Sequence, residues 1–118
     1  VTRHDASGIW VGATRHAHSL LVPWQGDVQR WAPARVEQLH AEHFELALAL
    51  RPELVIFGSG PSHRFVAPAL MRSLIEARIG VETMDTAAAC RTYNVLASEG
   101  RSVVAALLLE SPGAPREA

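Results

Sequence analysis

The stretch LVIFGSGPSHRFVAPALMRSLIEARIGVETMDTAAACRTYN, residues 54–94, decides the fold of this chain. Within it, apolar runs alternate with turn residues and predict a strand, a glycine loop, a helix, a strand and a second helix. The predicted elements are, in that order, Leu54–Phe57, Gly58–Gly60, Ala67–Ile79, Val81–Met84 and a helix from Asp85 or Thr86 to Ser98. Alternating helices and strands of this kind are typical of an open α/β fold.

The flanking segments add strands on either side of this unit. Short apolar runs before it predict an antiparallel β-meander, and the long apolar run after it predicts a central strand. The remaining predicted elements are the strands Val1–His4, Ile9–Ala13, Arg15–Val22 and Val28–Trp31, the helix Ala41–Leu50 and the strand Ser102–Leu109. Residues 1–109 are therefore expected to form a single α/β domain, and 110–118 a disordered C-terminal tail.

Length and composition narrow the classes of protein. A chain of 118 residues suits one domain, and its core needs no metal or disulfide. A net charge of −1 with scattered arginines argues against a nucleic-acid partner, and no apolar run is long enough to span a membrane. All 11 residues of the Lys+Arg count are arginine, which excludes a Schiff-base, Walker A or kinase-type lysine within the chain.

Cysteine usage and the start of the chain bear on location. The single cysteine, Cys90, forms no internal disulfide, and no secretion signal is visible. We therefore expect a cytoplasmic protein. A monomer is slightly favoured, although the oligomeric state is open.

Two loops gather most of the polar chemistry of the chain. Open α/β sheets bind ligands outside the carboxyl ends of their strands, which is where both loops are predicted to lie. Glycines allow close backbone approach, and a helix amino end offers free N–H groups to an anion. The candidate ligand-binding residues are Gly58, Ser59, Gly60, His63, Arg64, Asp85, Thr86, Arg91 and Asn94.

The same residues also have a purely structural interpretation. An Asp–Arg pair and a helix N-cap at Asp85 would lock the two loops together, because structural ion pairs also gather arginine and carboxylate. Cys90 follows a helix start beside Arg91, as a nucleophile would, but three alanines precede it and favour a buried, inert thiol. No catalytic arrangement is predicted.

Histidines on the first strands raise the question of a metal. His16 and His18 share one strand face, and His4 is predicted on a neighbouring strand. Two imidazoles two residues apart can bind zinc, but no cysteine or carboxylate stands at a fitting spacing. We therefore predict no metal and no cofactor.

Three segments carry a family resemblance. GSGPSHRF (58–65), GVETMDTAAACRTYNVLASEGRSVVAALL (80–108) and HSLLVPWQGDVQRW (18–31) closely resemble a family of small uncharacterised α/β domains first described from an archaeal hypothetical protein. The family includes mitochondrial complex I assembly factor 3 and an adipogenesis-associated protein. The resemblance implies a three-layer α/β fold with a central mixed sheet, and no established catalytic mechanism. His40 stands where the family commonly places a threonine helix cap, so the chain departs from the family pattern at that cap.

Two functions are compatible with these observations. The first is a non-enzymatic binding or assembly-type module that contacts a protein partner through the loops at the carboxyl edge of the sheet. The alternative is a small-anion or small-molecule binding protein, or an enzyme, that uses residues 58–64 and 85–94. An open polar cavity between the loops would favour the second function, and a closed junction would favour a structural role for these residues.

Overall fold

The computed structural model describes residues 1–5 and 7–110, and the elements follow the predicted order within that part of the chain. The strands and helices are β1 (Arg3–Asp5), β2 (Gly8–Val11), β3 (Thr14–His16), β4 (Leu20–Val22), β5 (Gln29–Arg30), α1 (Ala41–Leu48), β6 (Leu54–Gly58), α2 (Arg72–Glu76), β7 (Gly80–Met84), α3 (Thr86–Ser98) and β8 (Val103–Leu107). Short 3₁₀ turns at Val36–Gln38 and Pro68–Met71 precede α1 and α2. The predicted disordered tail lies outside the described residues, except for Glu110.

The strands form two sheets. β1, β2 and β3 make a small antiparallel sheet, and the central sheet has the strand order β5-β4-β8-β6-β7. β6 is parallel to both β7 and β8, whereas β4 is antiparallel to β8 and β5. The predicted mixed α/β sheet is therefore confirmed.

Side chains of the central sheet alternate between two cores. Val55 and Phe57 point to the side covered by α1 and α2, and they join Phe44 in one buried cluster. Ile56 points to the other side, where α3 and Ile9 of the small sheet complete a second cluster. This alternation follows from the two-residue period of a strand, and it gives the layer of α1 and α2, the sheet, and the layer of α3.

The predicted strand Arg15–Val22 is wrong as one element. β3 ends at His16 and β4 begins at Leu20, so the two halves belong to different sheets. Ser19 marks the crossing, because its side-chain Oγ accepts from the Leu109 N–H at 2.9 Å and its carbonyl accepts from the Trp31 N–H at 2.9 Å. The residue that alternation assigned to a strand interior instead bonds to the segments that follow β8 and β5, the two strands on either side of β4.

The predicted helix Ala67–Ile79 is shorter than its apolar stripe suggests. Pro68 opens a 3₁₀ turn, and the α-helix proper spans only Arg72–Glu76. Arg78 adopts a left-handed conformation with φ 61°, and the Ile79 N–H closes on the Leu74 carbonyl at 2.9 Å. A helix C-terminus of this kind is usually built on glycine, and here Gly80 already belongs to β7.

The cap of α1 uses histidine. His40 occupies the N-cap position, and its backbone N–H donates to Nδ1 of His43 at 2.9 Å. A capping box normally places Glu or Gln at the third helical position, and the imidazole of His43 serves as the acceptor there. In place of a threonine cap, the His43 side chain, three positions further along, accepts the hydrogen bond at the start of α1.

Candidate functional site

The two polar loops lie at one edge of the central sheet, as the sequence predicts. β6 and β7 are parallel neighbours whose last paired residues are Gly58 and Met84. The N–H of Ser59 donates to the Met84 carbonyl at 2.8 Å, which continues the pairing one step beyond the strands. After Ser59 the chain enters a loop, and after Asp85 it enters α3.

Gly58 lets α3 pack directly on the end of β6. A Cβ atom built on Gly58 would lie 2.9 Å from the Thr86 Cα and 3.1 Å from the Ala89 Cβ. Because the first of these neighbours is backbone, no side-chain rotation would relieve the contact. The glycine is therefore required for the approach of the helix.

Thr86 connects three chain segments through buried hydrogen bonds. Its Oγ1 accepts from the Gly60 N–H at 2.9 Å and donates to the Leu108 carbonyl at 2.7 Å. The Thr86 N–H donates to the Gly60 carbonyl at 2.9 Å, and the Leu108 N–H donates to the Gly58 carbonyl at 2.9 Å. The glycine loop, the start of α3 and the end of β8 thus form one connected unit, which we name the junction (Gly58–Gly60, Thr86 and Leu108).

Ser59 organises the loop that leaves the junction. Its Oγ donates to the Ser62 carbonyl at 2.7 Å, lies 3.1 Å from the Met84 carbonyl, and accepts from the Arg64 N–H at 3.0 Å. Within the described residues, every buried side-chain nitrogen or oxygen has a hydrogen-bond partner. The junction is closed, and its polar groups already hold one another.

The amino end of α3 is occupied from within the chain. Asp85 is its N-cap, and the carboxylate Oδ1 accepts from the Ala88 N–H at 2.8 Å. The Thr86 N–H is used by the Gly60 carbonyl. A negative side chain and a carbonyl therefore stand where an anion would have to bind.

Arg64 turns away from Asp85 and pairs with another element. Its Nη2 lies 2.8 Å from Oε2 of Glu37, and both side chains are about half exposed. Hydrogen bonds from the backbone of Glu37 itself and from Arg64 lower the pKa of the Glu37 carboxyl. The suggested bridge from Arg64 to Asp85 is thus replaced by one to the 3₁₀ turn before α1.

The last two candidates lie along α3. Arg91 is exposed on its surface. Asn94 is also exposed, and its Nδ2 donates to the Val1 carbonyl at 2.7 Å while its Oδ1 accepts from the Val1 backbone nitrogen at 3.0 Å. Asn94 therefore connects α3 to the segment that leads into β1. Arg91 is exposed to solvent.

One residue of the loop was missed by the sequence reasoning. Residues 61–65 are all exposed, and Phe65 is 81% exposed even though the adjacent Val66 is buried. The loop is held at its base by Ser59 and at Arg64 by Glu37, so the aromatic ring projects from a fixed support. An aromatic residue inside a polar loop was the available signal.

The thiol and the imidazoles have structural surroundings. Cys90 is buried, and this burial raises the pKa of its thiol to about 11, against the smaller opposing effect of Arg91. Nδ1 of His18 lies 3.0 Å from the Ser19 carbonyl, and its ring packs edge-on against that of His16. In the part of the chain that is described, no three histidine, cysteine or acidic side chains gather into a group able to hold a metal ion.

Comparison with known proteins identifies the family. Residues 1–108 match the family described as "Protein of unknown function (DUF498/DUF598)". The chain belongs to this family. A solved relative, a protein from Bordetella parapertussis, shares 37% identity with a TM-score of 0.88, over 93% of this chain and 94% of that chain. A second, from Bordetella pertussis and described as a Mth938-like domain, shares 31% identity with a TM-score of 0.80, over 94% of this chain and 85% of that chain.

A curated relative carries a functional name. NADH dehydrogenase (ubiquinone) 1 alpha subcomplex assembly factor 3 from Bos taurus is 35% identical over 88 residues, which cover 73% of this chain and 47% of that protein. The chain thus spans about half the length of this relative. The resemblance to the assembly-factor family is confirmed. Across residues 1–5 and 7–110, no helix has both the length and the apolar character needed to cross a bilayer.

Proposed function

We propose that this protein is a non-enzymatic, assembly-type module that binds a protein partner through the loop of residues 61–65. The name of the bovine relative, an assembly factor, supports a role in bringing other proteins together. The proposal extends that role to a chain of about half the length, and it assigns the contact to a surface of the chain itself.

The observation that carries the proposal is the contrast at Phe65. The Phe65 side chain is 81% exposed. Aromatic side chains are normally found in a core or an interface, because a large ring stabilises a fold or a complex most when it is removed from water. Few interface residues dominate binding, and they tend to be large side chains in a position to be fully desolvated. The hydrogen bonds at Ser59 restrict the loop before binding, which lowers the ordering cost of association.

A protein partner suits this edge better than a small anion. Two donors at the start of α3, the N–H groups of Ala88 and Thr86, are engaged by Asp85 and Gly60, and Arg64 is engaged by Glu37. Among the predicted anion contacts, His63 and Arg91 remain exposed. A ligand site would need several converging polar groups in a concave pocket. Residues 61–65 are instead all exposed and include an aromatic ring in solvent, which supports insertion into a groove on another protein.

The state of Cys90 and Ser59 bears on the location and the chemistry of the protein. A single buried thiol suits a reducing compartment, which supports a cytoplasmic protein. The raised pKa of Cys90 keeps its thiol protonated, and the Ser59 hydroxyl is engaged by the backbone of its own loop. Neither side chain is therefore an activated nucleophile, which supports binding without catalysis or a cofactor. We propose that the protein binds its partner as a monomer.

The test compares partner recovery by matched variants. Phe65→Ser removes the projecting ring, and Val95→Ser removes a second exposed apolar side chain, 57% exposed, from α3. Quantitative affinity capture from cells of the source organism is expected to recover specific partners at least about 10-fold less with Phe65→Ser than with wild type or Val95→Ser. Equal recovery by all three proteins would refute the assignment to residues 61–65.

The alternative function has its own readout. Amide chemical shifts of the intact protein are followed while inorganic phosphate, nucleotides and carboxylates are added. Saturable shifts confined to residues 58–64 and 85–94 at submillimolar ligand would establish the small-anion function instead. Shifts that are absent or scattered over the surface would leave the protein-binding proposal in place.

A further inference from the structure

The small sheet carries a row of three side chains on its outer face. Trp10 of β2 pairs with Arg3 of β1 and with Arg15 of β3, so the three residues stand side by side across the strands. Ile9, the neighbour of Trp10, is completely buried against the α3 side of the central sheet. Because successive side chains alternate between faces, the Arg3–Trp10–Arg15 row faces away from the body of the protein.

Both guanidinium groups stack on the tryptophan. The guanidinium carbon of Arg3 lies 4.7 Å from the Trp10 ring centroid, and that of Arg15 lies 5.7 Å from it. These distances are within the range of a cation–π contact. The stacking restricts two long side chains that would otherwise be mobile, and it leaves their charged edges in solvent.

The position of Arg15 is built into the strand. Its side chain crosses Gly8, where a Cβ atom would lie 2.8 Å from Nε, and its Nη2 donates to the Ser7 carbonyl at 2.6 Å. Arg3 makes a looser ion pair, with Nη2 3.8 Å from Asp5. A guanidinium has five N–H donors, so both arginines keep donors for a further acceptor.

We propose that this row is a second docking surface, and that it binds an acidic amphipathic helix of a partner protein. Carboxylates of the helix pair with Arg3 and Arg15, and an apolar side chain between them covers Trp10. The two guanidinium carbons lie 4.7 and 5.7 Å from one ring centroid, on the strands to either side of Trp10, so the two charges are separated by up to about 10 Å. Two turns of a helix span about 10.5 Å, which sets the matching acids seven residues apart.

Charge selects this partner over other anionic surfaces. The row offers two guanidinium groups with Asp5 beside them, and the whole chain has a net charge of −1. Nucleic acids and anionic membranes both require an extended positive surface, and this one is two residues wide. Arginine and tryptophan are the side chains most often found to dominate protein interfaces.

The experiment titrates the intact protein with a designed peptide. The probe is a 15-residue alanine- and glutamine-based peptide with glutamate at positions 4 and 11 and leucine at positions 7 and 8. A peptide of the same composition with adjacent glutamates serves as its control. Binding is followed through the indole N–H signal of Trp10 in NMR spectra, which we expect to shift saturably with the spaced peptide and at least about 5-fold more weakly with the control.

Matched variants decide whether the row is responsible. Arg3→Gln and Arg15→Gln should each weaken binding by about 10-fold, since each removes a charge-assisted pair. Arg72→Gln, on α2 in the opposite layer, and Phe65→Ser should leave it unchanged. Equal losses with Arg72→Gln, equal binding of the two peptides, or a Trp10 shift produced only by phosphatidylglycerol vesicles or single-stranded DNA would overturn the proposal. Because Phe65 is separate from the row, failure here does not bear on the loop at residues 61–65.

Discussion

The junction and the loop of residues 61–65 are adjacent in sequence and opposite in character. In the junction, Thr86 and the glycines are buried, and their polar groups bond to one another. In the loop, every residue is exposed, and Phe65 has almost its whole ring in solvent. The first region therefore stabilises the fold, and the second has side chains whose solvent exposure the fold does not require.

This difference changes how polar motifs in such sequences should be interpreted. A Gly-Ser-Gly turn followed by an Asp-Thr helix start has the composition of a ligand site, yet here it provides the contacts between β6, α3 and β8. The residues with exposed, unoccupied surface are those that motif reasoning passed over. Measurements of stability and of binding separate the two regions.

The largest effect is expected at Thr86. Thr86→Val keeps the shape of the side chain but leaves the Gly60 N–H and the Leu108 carbonyl unpaired in a buried position. Each unpaired group costs about 1–3 kcal/mol, so the loss of both pairs should lower the free energy of unfolding by roughly 2–6 kcal/mol. Urea denaturation measures the change, and Thr86→Ser, which retains the hydroxyl, should lose much less. Similar losses in the two variants would show that packing, and not hydrogen bonding, closes the junction.

A smaller loss is expected at Gly58. Gly58→Ala places a Cβ atom against the Thr86 backbone, and α3 must move outward to accept it. Overpacking of this kind costs about 1–3 kcal/mol, partly offset by the lower entropy of the unfolded chain. Thermal unfolding should show a lowered midpoint, with Gly80→Ala as a comparison for the loss of glycine itself, because the nearest atom to a Cβ there is the flexible end of the Leu54 side chain, Cδ1, at 3.0 Å. An unchanged midpoint for Gly58→Ala would contradict the close approach of α3.

A pH-dependent effect is expected at the cap of α1. Burial, followed by the neighbouring His40, lowers the pKa of His43, so the folded state favours the neutral ring that accepts from the His40 N–H. The unfolded state then binds more protons, and stability present above pH 6.5 is lost as the pH falls through the lowered pKa. The free energy of unfolding should fall by no more than a helix cap contributes, about 1 kcal/mol.

His43→Gln tests this cap. Glutamine is a usual acceptor at the third helical position and does not titrate, so the variant should keep its stability at pH 7.5. Its unfolding midpoint should fall less than that of the wild type between pH 7 and pH 5. An identical fall in both proteins would place the acid sensitivity elsewhere.

The smallest stability effect is expected in the loop. Phe65→Ser removes a ring that is 81% exposed, so the free energy of unfolding should change by less than about 0.5 kcal/mol. The measurement is urea denaturation beside the partner capture already described. A loss of more than about 1 kcal/mol would mean that Phe65 supports the fold, and the contrast with the junction would then disappear.

Much of the fold was predictable from local patterns. The apolar run before Gly58, the Asp85 cap and the order of helices and strands all follow from side-chain periodicity and turn chemistry. The break at Ser19 was not predictable, because alternation continues across it and only the distant Leu109 and Trp31 reveal it. The early end of α2 at Glu76, followed by the left-handed Arg78, also depends on tertiary context, since arginine has no intrinsic preference for a positive φ.

The candidate site was predictable in position but not in use. Parallel pairing places the two loops at one edge, as the sequence indicates. Ser59 and Thr86 bond to surrounding backbone groups, and for Thr86 this depends on the close approach of α3 to β6 that the missing Cβ of Gly58 permits. The pairing of Arg64 with Glu37 joins residues 27 positions apart, and no local pattern encodes that separation.

The central position of β8 has a consequence for biosynthesis. β8 lies between β4 and β6, so a nascent chain halted before Val103 holds the hairpin of β4 and β5 and the pair of β6 and β7 without the strand that pairs with both. The sheet cannot close on the ribosome until Leu107 has left the exit tunnel, and until then both inner strand edges stay open to other chains. Slow translation of β8 would therefore prolong the period in which these two strand edges are exposed.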